Sequence, residues 1–72
     1  MFWIRIRPGG HVEGSVLADA VGQLQEDAHR EFTPRVADRR REAAEGWRHE
    51  LVNPGEWDRR ALLCLRGQCN HT

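Results

Sequence analysis

Seventy-two residues with eleven arginines, no lysine and eleven acidic side chains give a formal charge of zero with histidine neutral. A chain of that length forms one small domain at most, buries roughly 60% of its unfolded surface, and draws at most about 3–5 kcal/mol from its core. The balanced charge removes the broad positive field that non-specific nucleic-acid binding needs, and no apolar run approaches the ~20 residues of a membrane-spanning helix.

The residues from Phe2 to Arg7 alternate, with Phe2, Ile4 and Ile6 on one side and Trp3, Arg5 and Arg7 on the other. Period-two alternation of this composition predicts a half-buried strand. Pro8-Gly9-Gly10 ends it, and His11-Val12-Glu13 offers a short return strand. A strand or hairpin this small needs a cover, supplied by helices or by a second copy pairing along its edge.

Ser15 is the expected cap of a first helix from about Val16 to Glu31, in which Leu17, Val21, Leu24 and Ala28 form an apolar stripe. Gly22 inside it costs about 1 kcal/mol relative to alanine. Thr33-Pro34 and Asn53-Pro54 each set a capping side chain before a proline, the order that opens a helix. A second helix is therefore expected from Pro34 to Val52, with Val36, Ala37, Ala44, Trp47 and Leu51 on one face and Gly46 tolerated within it. A third runs from Pro54 to Arg66. Its start combines the Asn53 cap, Glu56 at the third position and a Val52–Trp57 staple, and Gly67 stops it. A strand over Ala61 to Arg66 is the competing reading.

The expected fold is mainly α within an α+β class: an N-terminal strand or short hairpin followed by a compact three-helix arrangement. It is a single domain over 1–72, divided into strand or hairpin at 2–14, helices at 15–67 and a polar tail at 68–72.

His49-Glu50 imitates the start of the zinc-protease pattern H-E-x-x-H, but Asn53 stands where the second histidine would be. Cys64, Cys69 and His71, with His49 as a fourth, form a weak zinc alternative whose spacing is not that of a zinc knuckle. The simpler account makes Cys64 a small core side chain and Cys69 a thiol on the tail; a Cys64–Cys69 disulfide is conceivable, but a reducing compartment argues against it. Two cysteines and no export signal point to a reducing cytoplasm. No nucleophile–base grouping and no phosphate loop can be assembled, so no enzyme activity and no cofactor are expected.

Arg35, Arg39, Arg40, Arg41 and Arg48 make the second helix locally basic and suggest a helix-turn-helix-like regulator as an alternative function. Interleaved Asp38, Glu42 and Glu45 favour a solvated, charge-paired face instead. What remains is a binding surface, since tryptophan and arginine are the types that most often carry interface energy. Trp3, Arg5 and Arg7 share one side of the first strand and form the expected contact patch. The sequence reads as a small non-enzymatic module that occupies a surface of a larger protein or nucleoprotein complex, or pairs with itself, with no membrane role. Size alone adds the expectation of an accessory or inhibitory protein of phage or mobile-element type.

Overall fold

The computed structural model describes residues 1–62 and residue 64. Strand β1 (Phe2–Ile6) turns through Pro8-Gly9-Gly10 into β2 (Val12–Leu17). Gly9 and Gly10 hold φ of 108° and 102°, a left-handed geometry open to glycine. The chain then forms α1 (Ala18–Val21), α2 (Gln25–Phe32) and α3 (Val36–Glu45), returns as β3 (Arg48–Val52), and closes with α4 (Pro54–Trp57) and a π-helical turn over Asp58–Leu62.

The three strands form one antiparallel sheet in the order β2-β1-β3. Within it Ile4 faces Ser15 on one neighbour and Glu50 on the other, and Arg5 faces Gly14 and His49. A bulge between Arg5 and Ile6 admits Glu13 as an extra residue on β2 and brings its carboxylate to Arg5 and Arg7.

Both faces of the sheet are covered. Ile4, Ile6, Val12 and Val52 pack on Ala61, with Phe2, Trp57 and Cys64 at the margin, so α4 and its π-helical continuation close one side. Phe2 stacks on Trp57 with ring centroids 4.9 Å apart. On the other side Trp3 packs with Ala18 and Ala28, flanked by Val16, Val21 and Leu51.

The expectation of a mainly α fold with three helices is therefore wrong: the chain is α+β, built on a three-stranded antiparallel sheet. Two glycines account for most of the error. Gly22, at φ 96°, ends α1 and turns the chain before α2, so the single helix expected over Val16 to Glu31 is instead the end of β2 and two separate helices. Ser15 caps nothing and lies in β2 opposite Ile4. Gly46, at φ 100°, ends α3, its N–H and that of Trp47 both turned back onto the Glu42 carbonyl. That left-handed stop releases Arg48–Val52 from the helix, and the segment pairs with β1. Thr33 caps no helix either, because the residue before α3 is Arg35.

The third expected helix begins as read. Asn53 Oδ1 accepts from the Glu56 N–H at 2.8 Å, and Pro54 takes the first position. The competing strand over Ala61 to Arg66 is excluded at Ala61 and Leu62, which are helical; Leu65, Arg66 and the Gly67 stop lie outside the described residues.

Candidate functional site

Alternation in β1 sends Arg5 to the same face as Trp3, beneath α2 and α3, where the side chain is only 12% exposed. A guanidinium placed there needs a partner, because an unpaired buried charge is strongly unfavourable. Glu42, the one buried residue of α3, supplies it. Arg5 Nη1 and Nη2 donate to Glu42 Oε1 and Oε2 at 3.0 and 2.9 Å, a two-pronged contact that fixes both planes. His29 Nε2 and Thr33 Oγ1 also donate to Glu42 Oε1, each at 2.9 Å. The Arg5 guanidinium lies 4.0 Å over the Trp47 ring, adding a cation–π contact.

His49 completes the cluster from β3. Its Nε2 lies 3.3 Å from Arg5 Nη1 and its Nδ1 2.9 Å from Gln25 Oε1. A guanidinium can only donate and a carbonyl oxygen can only accept, so this pairing assigns the neutral tautomer with the proton on Nδ1. The rings of His29 and His49 are 4.6 Å apart, and Phe32 stacks on His49 at 5.5 Å. Phe32 also lies over Gly14, where a Cβ would come within 3.2 Å of its ring.

Electrostatics follow from these contacts. The hydrogen bonds from Arg5 hold the Glu42 carboxyl down at about 2, against the opposing effect of burial and with help from His29 and Thr33. Burial pushes His49 down to about 4, assisted by the neighbouring His29 and Arg5. Glu42 is thus an anion with its lone pairs occupied, and a weak proton acceptor at neutral pH. A second ion-pair group lies on the opposite side, where Arg60 donates to both oxygens of Glu50 at 3.1 and 3.2 Å and lowers its pKa.

Beside the Glu42 cluster a groove of about 260 Å³ opens between α2 and α3, lined by Gln25, Glu26, His29, Arg30, Val36, Arg39 and Arg40. Gln25 and His29 belong to both the cluster and the groove. Arg39 is steered by the carbonyls of Thr33 and Pro34. No ion pair joins Arg30 or Arg40 to any described residue.

The residues expected to bind a partner are mostly elsewhere than supposed. Trp3 is 4% exposed and its Nε1 donates to the Gly22 carbonyl at 2.9 Å. Arg5 is spent on Glu42, and Arg7 alone stays open, paired with Glu13 at 3.3 Å. No outward tryptophan–arginine patch exists on β1. Nor can β1 offer an edge to a second copy, since it is the central strand.

Of the five arginines assigned to a basic second helix, Arg39, Arg40 and Arg41 lie on α3, Arg35 precedes it and Arg48 is on β3. Arg41 pairs with Asp38 at 3.1 Å and Arg48 with Glu50 at 3.3 Å. The weak zinc set is not assembled among the described residues. His49 is in the Glu42 cluster, and Cys64 is disulfide-bonded and so carries no thiolate. Cys69 and His71 lie outside the described residues, within which no group of His, Cys, Asp or Glu is arranged to hold a metal ion. Among the described residues no helix is long and apolar enough to cross a membrane.

The cluster of Arg5, His29, Glu42 and His49 was missed because each residue looks like surface taken alone. One signal was available: between Val36 and Trp47 the second helical segment holds no large apolar residue. Such a helix must be anchored by something other than hydrophobic contact. Comparison with protein-family models, with curated proteins and with solved structures returns no match.

Proposed function

We propose that the chain is a small non-enzymatic binding module that docks on a larger protein through the outward side of α3. The observation that supports this most is the way α3 is mounted. Of its ten residues only Glu42 is buried, and that one carboxylate ties the helix to the sheet. Asp38 and Arg39 are half-buried and the other residues of the helix are exposed, among them Ala37, Ala44 and Val36, the last 53% exposed. Ala37 and Ala44 lie seven residues apart, so they share one face of the helix. Two small residues on either side of the exposed Arg41, mounted on a polar anchor, are suited to contact with another protein, where small residues allow close approach.

The small size of the chain supports an accessory or inhibitory role, of the kind found in phages and mobile elements, acting by occupying a partner's surface. The proposed encounter is cytoplasmic; the disulfide at Cys64 runs against it, since reducing compartments disfavour disulfides. A second copy would pair along β2 or β3, the two edge strands. Nucleic-acid binding through Arg35, Arg39, Arg40, Arg41 and Arg48 draws less support, because Arg41 and Arg48 are already ion-paired and the chain carries no net positive charge.

The test is affinity capture from the native host with the wild-type chain and with the double variant Ala37→Glu/Ala44→Glu. Both positions are exposed helix sites and glutamate is a good helix former, so folding is preserved. The expected result is a protein captured by the wild type and lost with the double variant. Equal capture by both, or none by either, defeats the proposal.

A further inference from the structure

Resting on that reading, we infer that the groove between α2 and α3 receives an acidic side chain from the partner, carried on a segment whose neighbouring side chains are apolar. The charge around the groove is lopsided: Arg30, Arg39 and Arg40 face it and Glu26 is the only acid in its wall. Arg30 and Arg40 are exposed and have no ion pair within the described residues. All three cationic side chains are guanidinium forks, whose paired N–H groups match the two oxygens of a carboxylate. Arg39 is held by two backbone carbonyls and so is pre-oriented for such a contact.

The groove also has an apolar component. Val36 is the apolar residue of its wall, and the exposed Leu24 (62%) stands next in the chain to the lining residue Gln25. A ligand matching both features is an aspartate or glutamate flanked by aliphatic side chains. A nucleic-acid strand matches less well. Glu26 repels successive phosphates, the chain has no net positive charge, and about 260 Å³ holds a side chain or two and not a run of nucleotides.

His29 gives the groove a rigid floor. Its Nε2 is committed to Glu42, and Glu42 is fixed in turn by Arg5 and Thr33. The anion is therefore bound by arginines on a surface that the buried cluster keeps in place.

Backbone amide resonances of the isotope-labelled full chain would be followed during titration with three probes. These are a capped hexapeptide alternating glutamate and leucine, its glutamine-for-glutamate counterpart, and inorganic phosphate. The acidic peptide is expected to shift Gln25, Arg30, Val36 and Arg40. The glutamine peptide should bind at least tenfold more weakly, and phosphate should leave Val36 unmoved. The double variant Arg30→Glu/Arg40→Glu should lose at least tenfold in peptide affinity with an unchanged thermal midpoint.

Equal binding of both peptides, absence of binding, or full reproduction of the shifts by phosphate overturns the inference. If the peptide fails while Ala37→Glu/Ala44→Glu still loses a captured partner, the groove is not the site and the module remains one. If the peptide binds but the wild type captures nothing, the groove chemistry stands and the docking role falls.

Discussion

The C-terminal helix and α3 lie on opposite sides of the same sheet, yet they are attached by different forces: the first packs on it directly, whereas the second reaches it through the Glu42 side chain past α1 and α2. Under α4 and its π-helical turn, Ile4 and Ile6 are 0% and 1% exposed and rest on Val12, Val52 and Ala61. Under α3 the sheet presents Arg5 and His49, and the helix answers with a single carboxylate. Apolar contact is spread over many atom pairs and tolerates the loss of a few. A buried ion pair is all or nothing, because removing one partner strands the other's charge. The difference leaves α3 free to present its apolar residues outward, at the expense of resting its attachment on one residue.

The comparison breaks most sharply at Glu42. Glu42→Ala leaves the buried Arg5 with only the longer, 3.8 Å contact to Glu13, and breaking a buried pair in this way costs about 3–5 kcal/mol. That matches the whole net stability expected of a chain this size. Urea unfolding followed by circular dichroism should show a lost or barely cooperative transition. A variant that unfolds at the wild-type midpoint would mean that α3 is held by something other than the ion pair.

Acid should separate the two faces next. His49 sits at about 4 when folded and about 6.5 otherwise, so the folded chain keeps it neutral where the unfolded chain takes up a proton. Its contribution is therefore full above pH 6.5 and lost as the pH falls towards 4. Glu42, at about 2 against an ordinary 4.5, contributes fully above pH 4.5 and loses that contribution towards pH 2. Both act in the same direction, each with a slope of at most about 1.4 kcal/mol per pH unit. Stability measured by urea midpoint should decline from near pH 6.5 downward. His49→Gln should flatten the upper part of that decline and leave the lower part. A wild-type profile level from pH 7 to pH 4 would contradict the neutral tautomer assigned to His49.

These two faces were unequally legible in the sequence. The alternation of Phe2 to Ile6, the Pro8-Gly9-Gly10 turn and the Asn53-Pro54 helix start are local patterns, and each appears in the fold where it was read. Gly22 and Gly46 were the failures. A glycine within a helical pattern is either tolerated or a left-handed stop, and only the partners gained beyond it decide which. For Gly46 the gain is β3, whose hydrogen bonds go to a strand more than forty residues earlier. Five residues such as Arg48–Val52 are too few for periodicity to separate strand from helix. The Glu42 cluster was hidden for a related reason. Arg5, His29, Glu42 and His49 come from four elements, and nothing in their spacing along the chain announces that they meet.

The smallest expected effect belongs to the apolar-held side. Asn53 satisfies one N–H at the start of α4, and Asn53→Ala removes that bond at a cost of about 1 kcal/mol. The helix itself should stay docked, because Ala61 remains buried against Ile4, Ile6 and Val52 and Trp57 remains stacked on Phe2. The thermal midpoint should drop by about 4–8 °C, as one kcal/mol produces in a domain of 60–100 residues. Far-UV circular dichroism at room temperature should be unchanged. If the variant instead loses helical signal before any unfolding transition, the C-terminal helix depends on its cap as heavily as α3 depends on Glu42, and the contrast between the two attachments disappears.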